Sequence, residues 1–345
     1  MIAKYLLVFL IVVITGCSNG PLDGFTNVSP LIVKDTIELE NRNILNPHHI
    51  FYKNDFLIFN SIGGKREIQL LNLSTKDVTE YSVIGSGKNE MINYCTMNST
   101  NEKVYKFVDI HLGKVYGVNL DTLKEDSQKQ YELLYSLPIT NGNYFFRFID
   151  LSHFFVGIGM IEKGRFGVYK KGTNVFNEEA EYPENEDISK LDYKYKGALF
   201  SSTLMASDSM GKRMATSCFG LIDFYSVSEQ GEISLVKSHH YHFPLFKVGT
   251  NGSAINYKKE DKVGFYSLCA DDNYVYALYS DKTMAEYGEG AYDASFLLVW
   301  DWKGNPIKAY ELSATLYGFA IDGNTIYGLS RENSPIVYVF EMNND

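Results

Sequence analysis

Beyond residue 30 the chain alternates short apolar runs with polar turns, and the runs repeat. Residues 68–73, 115–120, 165–169, 221–227, 296–302 and 336–342 carry apolar side chains at period two or nearly continuously, the pattern of half-buried and buried β-strands. Turn chemistry follows several of them at once, in Ser74-Thr75-Lys76-Asp77, Lys171-Gly172-Thr173-Asn174, Glu229-Gln230-Gly231 and Lys303-Gly304-Asn305-Pro306. Aligning Leu71, Val118, Tyr169, Tyr225, Trp300 and Phe340 gives spacings of 47, 51, 56, 75 and 40 residues. A four-stranded propeller blade takes about 40 to 50 residues, so six units emerge, with extra loops in the longest gap. Long amphipathic helices are absent from the pattern, which weakens a Rossmann or TIM-barrel arrangement. The expected fold is all-β: a six-bladed β-propeller of four-stranded antiparallel blades.

The sixth unit is one strand short. Residues 316–321, 325–329 and 336–342 supply three strands before the chain ends at Asp345. A three-stranded blade would expose a long edge. Residues 32–39 precede the first unit and have no other partner. They are expected to close the ring by pairing with residues 336–342.

The first residues read differently. Lys4 supplies a positive charge, residues 5–14 are apolar without a break, and Thr15 and Gly16 are small. Ten apolar residues are too few for the roughly 20 that cross a bilayer as a helix, but suit a signal peptide. The tetrapeptide Ile14-Thr15-Gly16-Cys17 resembles the lipobox of bacterial lipoproteins. That resemblance implies cleavage before Cys17, diacylglycerol on its sulfur and acylation of the new amine, a two- or three-chain anchor to the lipid bilayer. Ser18-Asn19-Gly20-Pro21 lacks the aspartate that holds some lipoproteins on the inner membrane. It also lacks the acidic cluster that sends some to the cell surface. The outer membrane, facing the periplasm, is the address this favours. The expected division is a signal peptide at 1–16, a lipidated Cys17 and flexible tether at 17–30, and a single propeller domain at 31–345.

Composition narrows the partners. The net charge is -10, one unit more acidic once Lys4 leaves with the signal. Nucleic acid is therefore not expected as a partner, since it is bound by clustered Lys and Arg. With Cys17 committed to lipid, Cys95, Cys218 and Cys269 remain. They show no Cys-x-x-Cys pattern and read as buried free thiols, one bridge between blades being the alternative.

Two stretches carry a family resemblance. Phe296-Leu-Leu-Val-Trp-Asp-Trp-Lys-Gly-Asn-Pro-Ile307, followed by Lys308-Ala309-Tyr310-Glu311-Leu312, resembles the blade-ending motif of TolB-like six-bladed propeller lipoproteins. Ile84-Gly-Ser-Gly-Lys-Asn-Glu90 resembles their Gly-x-Gly-x-x-Glu loop between early blades. The resemblance spans nearly all of the mature chain and implies a six-bladed propeller on a lipid anchor. It carries no catalytic residues.

Candidate chemistry is sparse. Gly85-Ser86-Gly87-Lys88 lacks the spacing of a phosphate loop and the Ser or Thr after its lysine. His48-His49 after Pro47 reads as a turn. Among His239, His240 and His242, strand alternation sends His240 to the opposite face, so no metal site is expected. No cofactor and no catalytic residue are expected either. The positions of interest are Glu286, Tyr287 and Tyr292 in the long insertion 281–294, with Met284 and Glu289 beside them, and Tyr241 and His242 in the connection 241–244. Long loops on rigid scaffolds often carry function, and tyrosine offers an apolar face with a polar tip. Two classes stay open: a non-catalytic module binding a protein or glycan, and a Ca²⁺-dependent hydrolase or lactonase with carboxylates around a central channel.

Overall fold

The structure is a computed structural model that describes residues 20–343, apart from 62–66, 86–89, 100–102, 126–129, 138, 140–142, 250–254 and 333. Cys17 and the centre of the 84–90 loop lie outside the described residues. Six antiparallel blades surround one cavity among the described residues. Their inner strands are Pro47–Lys53, Tyr94–Ser99, Tyr144–Asp150, Leu204–Ser207, Lys262–Ala270 and Gly318–Asp322, and residues of all six line it. The inner strands of blades 2 and 3 also touch in parallel, Ile149 opposite Asn98 and Asp150 opposite Ser99.

The middle strands explain the sequence signal. Each blade is covered on both faces by its neighbours, so alternate residues serve different interfaces. In blade 1, Phe56, Ile58, Ile68 and Leu70 pack with Tyr105, Phe107, Tyr116 and Val118 of blade 2. Leu57, Phe59 and Leu71 pack with Ala320, Leu329 and Val337 of blade 6, which shuts the ring. The six aligned positions all fall on the third strand of a blade: Ile68–Asn72, Lys114–Asn119, Phe166–Lys170, Gly220–Val227, Ala294–Asp301 and Ile336–Glu341. All six side chains are buried. Burial of one such side chain stabilises by about 1.5–3 kcal/mol.

Closure follows the expected route. Val33–Glu38 pairs antiparallel with Ile336–Glu341 as the outer strand of blade 6, with Thr36 opposite Tyr338. The 75-residue gap is filled by a small hairpin, Phe246–Val248 with Ile255–Tyr257, and by the insertion after Tyr274–Thr283. Cys95, Cys218 and Cys269 are free thiols.

The tether expectation needs correction over residues 20–30. Pro21–Gly24 forms a 3-10 turn, and Phe25 meets Trp300 edge-on with ring centroids 5.2 Å apart. Val28–Leu31 then runs parallel to Pro306–Leu316, covering the outer edge of blade 5. A pattern of one aromatic and four strand residues among Gly, Asn, Ser and Pro is too short to show as a period. It folds because blade 5 offers an unpaired edge and an aromatic pocket.

Candidate functional site

The cavity runs along the propeller axis, with a volume of about 1470 Å³. Its two ends differ because the strands alternate in direction. At the lower end lie the turns that leave each inner strand. At the upper end lie the starts of the inner strands and the insertion between the second and third strands of blade 5.

The lower end is acidic, and its carboxylates are engaged. Asp208 accepts from Arg213 Nε at 2.7 Å, and Asp272 accepts from the backbone N–H and hydroxyl of Ser209 at 2.9 Å. Asp271 accepts from the Tyr276 hydroxyl at 2.9 Å and from two turn amides, and the Tyr52 hydroxyl bonds Asp322. Among the described residues no three His, Cys, Asp or Glu side chains gather as a metal cage.

The upper end is aromatic, and the insertion builds it. Thr283 caps Met284–Tyr287 by accepting from the Glu286 N–H at 3.3 Å, a Thr-x-x-Glu start of the capping-box type. Gly288, at φ 55°, breaks that turn in a conformation only glycine adopts at low cost, and Gly288–Tyr292 follows as a 3-10 turn. Ser280 donates to the Ala291 carbonyl at 2.6 Å, and the Ala285 N–H donates to the Lys259 carbonyl at 2.8 Å. Arg331 of blade 6 reaches across to Asp293 at 3.2 Å and Glu289 at 3.4 Å, with its guanidinium 4.4 Å from the Tyr317 ring. The insertion is thus a folded bracket joining blades 5 and 6, rather than the conformable loop its glycines suggest.

Of the residues singled out from sequence, Tyr292, Glu289 and Met284 line the cavity. Tyr292 meets Tyr266 edge-on, centroids 5.7 Å apart. Glu286 and Tyr287 project from the bracket into solvent and do not line the cavity. Tyr241 and His242 lie apart from it. Tyr241 packs against Phe265 and stacks on His239. His242 Nδ1 sits 3.8 Å from Asp261 Oδ1. Burial, helped by Lys262, pulls His242 down to about 4, and burial pushes Asp261 up to about 6. The other two histidines of that strand are used in packing, His239 on the Gly304 carbonyl and His240 on Asp223.

Three channel residues were missed. His48 and His49 belong to an inner strand rather than a turn, and both line the cavity. His49 is reached by water yet surrounded by protein; desolvation, with Arg147 and His48 beside it, lowers it to about 4, so it is neutral at pH 7. Arg147 lines the same stretch and hydrogen-bonds the Cys95 thiol. The available signal was one cation inside the aromatic run Tyr144-Phe-Phe-Arg-Phe-Ile-Asp150.

Six blades around a polar and aromatic channel define the molecule as a six-bladed β-propeller. The chain belongs to the TolB-like 6-blade propeller-like family, whose model matches residues 27–324. No curated protein matches its sequence. A putative exported protein from Bacteroides fragilis NCTC 9343 is similar in structure over 92% of this chain and 99% of its own, at 12% identity and a TM-score of 0.56. The Cps50 (Swd1) β-propeller domain of Myceliophteria thermophila aligns over 91% and 100%, at 11% identity and a TM-score of 0.44. BamB from Moraxella catarrhalis aligns over 86% and 70%, at 8% identity and a TM-score of 0.38. At these identities the likeness concerns the fold.

Proposed function

We propose that this protein is a lipid-anchored extracytoplasmic binding module, held through Cys17 on the periplasmic side of the outer membrane. It engages a protein or glycan at the upper mouth of its channel without turning it over. The lipobox-like ending at Cys17 supports the anchor, and the description of the Bacteroides fragilis neighbour as an exported protein agrees with an extracytoplasmic address. The bracket at the mouth carries the binding role: its body is pinned between two blades while Tyr287 and Tyr292 stay 55% and 39% exposed. Pre-fixed aromatic faces bind with little ordering cost.

Partners recovered by pull-down with the full chain identify the ligand. Tyr292→Ala and Tyr287→Ala are then measured against it. A contact residue of hot-spot strength costs about 2 kcal/mol, roughly 30-fold in Kd. Two folded variants that bind as tightly as the parent reject this mouth as the site. Cys17→Ser is expected to abolish lipid labelling and release the protein from membranes; unchanged labelling rejects the anchor.

A further inference from the structure

Below the bracket the channel holds a cation that the fold leaves without a counter-charge. Arg147 stands midway along the inner strand of blade 3, half-buried and facing the cavity. Three other arginines have carboxylates: Arg165 has Asp223, Arg213 has Asp208, and Arg331 has Asp293 and Glu289. Among the described residues none lies within ion-pair distance of Arg147, whose neighbours are neutral His49 and the Cys95 thiol. A guanidinium partly removed from water and left unpaired is costly, and an arriving anion relieves that cost. Elsewhere the chain's net charge of -10 discourages anions, so this spot is selective for them.

Resting on the binding role proposed above, the geometry points to Arg147 as the seat of a carboxylate carried by an acidic sugar, a uronic-acid-bearing glycan. The planar fork of arginine matches a carboxylate with two parallel hydrogen bonds. Toward the mouth the wall presents Tyr266 and Tyr317, whose hydroxyls are tied to the Leu316 and Pro47 carbonyls, so their rings are fixed. With Tyr292 they form an aromatic wall of the kind that sugar C–H surfaces cover, one face of Tyr317 being taken by Arg331. In the same cavity the Asn93 and Ser267 side chains line the wall with no hydrogen bond to another described residue. They are free to meet sugar hydroxyls. A peptide C-terminus also brings a carboxylate, but it would leave that array of rings and hydroxyl partners unused. The cavity of about 1470 Å³ admits a short oligosaccharide rather than one ring.

The test titrates the full chain in detergent, by calorimetry, with oligomers of galacturonate, glucuronate and mannuronate, and with the same oligomers after reduction of their carboxyl groups. At least one acid form is expected to bind, and its reduced form to bind roughly 10-fold or more weakly. Arg147→Gln is expected to erase that preference while keeping the parent's melting temperature. Arg147→Met, which keeps the length of the stem, replaces it should Arg147→Gln melt early. Equal binding of acid and reduced forms overturns the assignment, as does a preference that survives both substitutions or the absence of binding by every oligouronate. Binding confined to a tripeptide with a free, not amidated, C-terminus overturns it in favour of a protein ligand. If no uronate binds while Tyr292→Ala still weakens a recovered partner, the sugar falls and the binding role stands. If neither that variant nor Tyr287→Ala changes anything, both fall.

Discussion

Arg165 and Arg147 lie inside the same propeller and meet opposite environments. Arg165 is sealed between blades 3 and 4, where it donates to Asp223 Oδ2 and the Tyr225 hydroxyl, each at 2.6 Å, with its guanidinium against the Phe200 ring. Burial alone would raise the Asp223 carboxyl, but Arg165, with a hydrogen bond from His240, outweighs it and holds the carboxyl below its usual range. Arg147, half-buried, faces the channel, and among the described residues no acid stands within ion-pair distance of it. The contrast separates a charge that locks two blades together from a charge held ready for something else. Between blades 2 and 3 the same locking recurs, with Lys106 and Lys171 both on Asp150.

The comparison breaks first at Asp223. Asp223→Ala strands a buried guanidinium and is expected to lower unfolding free energy by about 3–5 kcal/mol, read by denaturant titration; a loss below about 1 kcal/mol would show that Arg165 is not locked by this carboxylate. Phe25→Ala empties the aromatic contact on Trp300 and is expected to cost about 3 kcal/mol, whereas a free tether would lose nothing. A smaller effect separates the channel from the blade interfaces by pH. The fold depresses His49 from its ordinary value to about 4, so its stabilising contribution is complete above pH 6.5 and is lost as pH falls toward 4. His49→Gln is expected to flatten the decline in stability over that window; identical slopes for variant and parent count against desolvation of this ring. Arg147→Gln is expected to change stability least, within about 0.5 kcal/mol. A large loss there would move Arg147 into the same class as Arg165.

Blade number and ring closure were legible because the third strand of each blade is covered on both faces. Leu71, Tyr225 and Trp300 repeat for that reason. The inner strands were harder to read, since one edge of each faces the channel and carries polar residues such as His49, Thr96 and Arg147 among the apolar ones. That mixture hides the site from a search for apolar period. The bracket was located by its length, but its rigidity depends on Arg331, 38 residues after Asp293 in sequence, which no local pattern joins to it. The packing of Phe25 depends likewise on a pocket far along the chain.

The course of the first described residues also sets an orientation. Gly24 lies beside Pro306 at the lower end of blade 5, where an added Cβ would come within 3.5 Å of the proline ring, and the chain climbs from there along Pro306–Leu316. Only Ser18 and Asn19 separate Cys17 from Gly20, a reach of about 10 Å when extended. With lipid on Cys17, the propeller would ride close above its leaflet with the acidic turns turned toward the headgroups. The tyrosine-lined mouth would then open away from the membrane, like a cup standing upright on it, so that material arriving from the aqueous side meets Tyr292 before it meets Arg147.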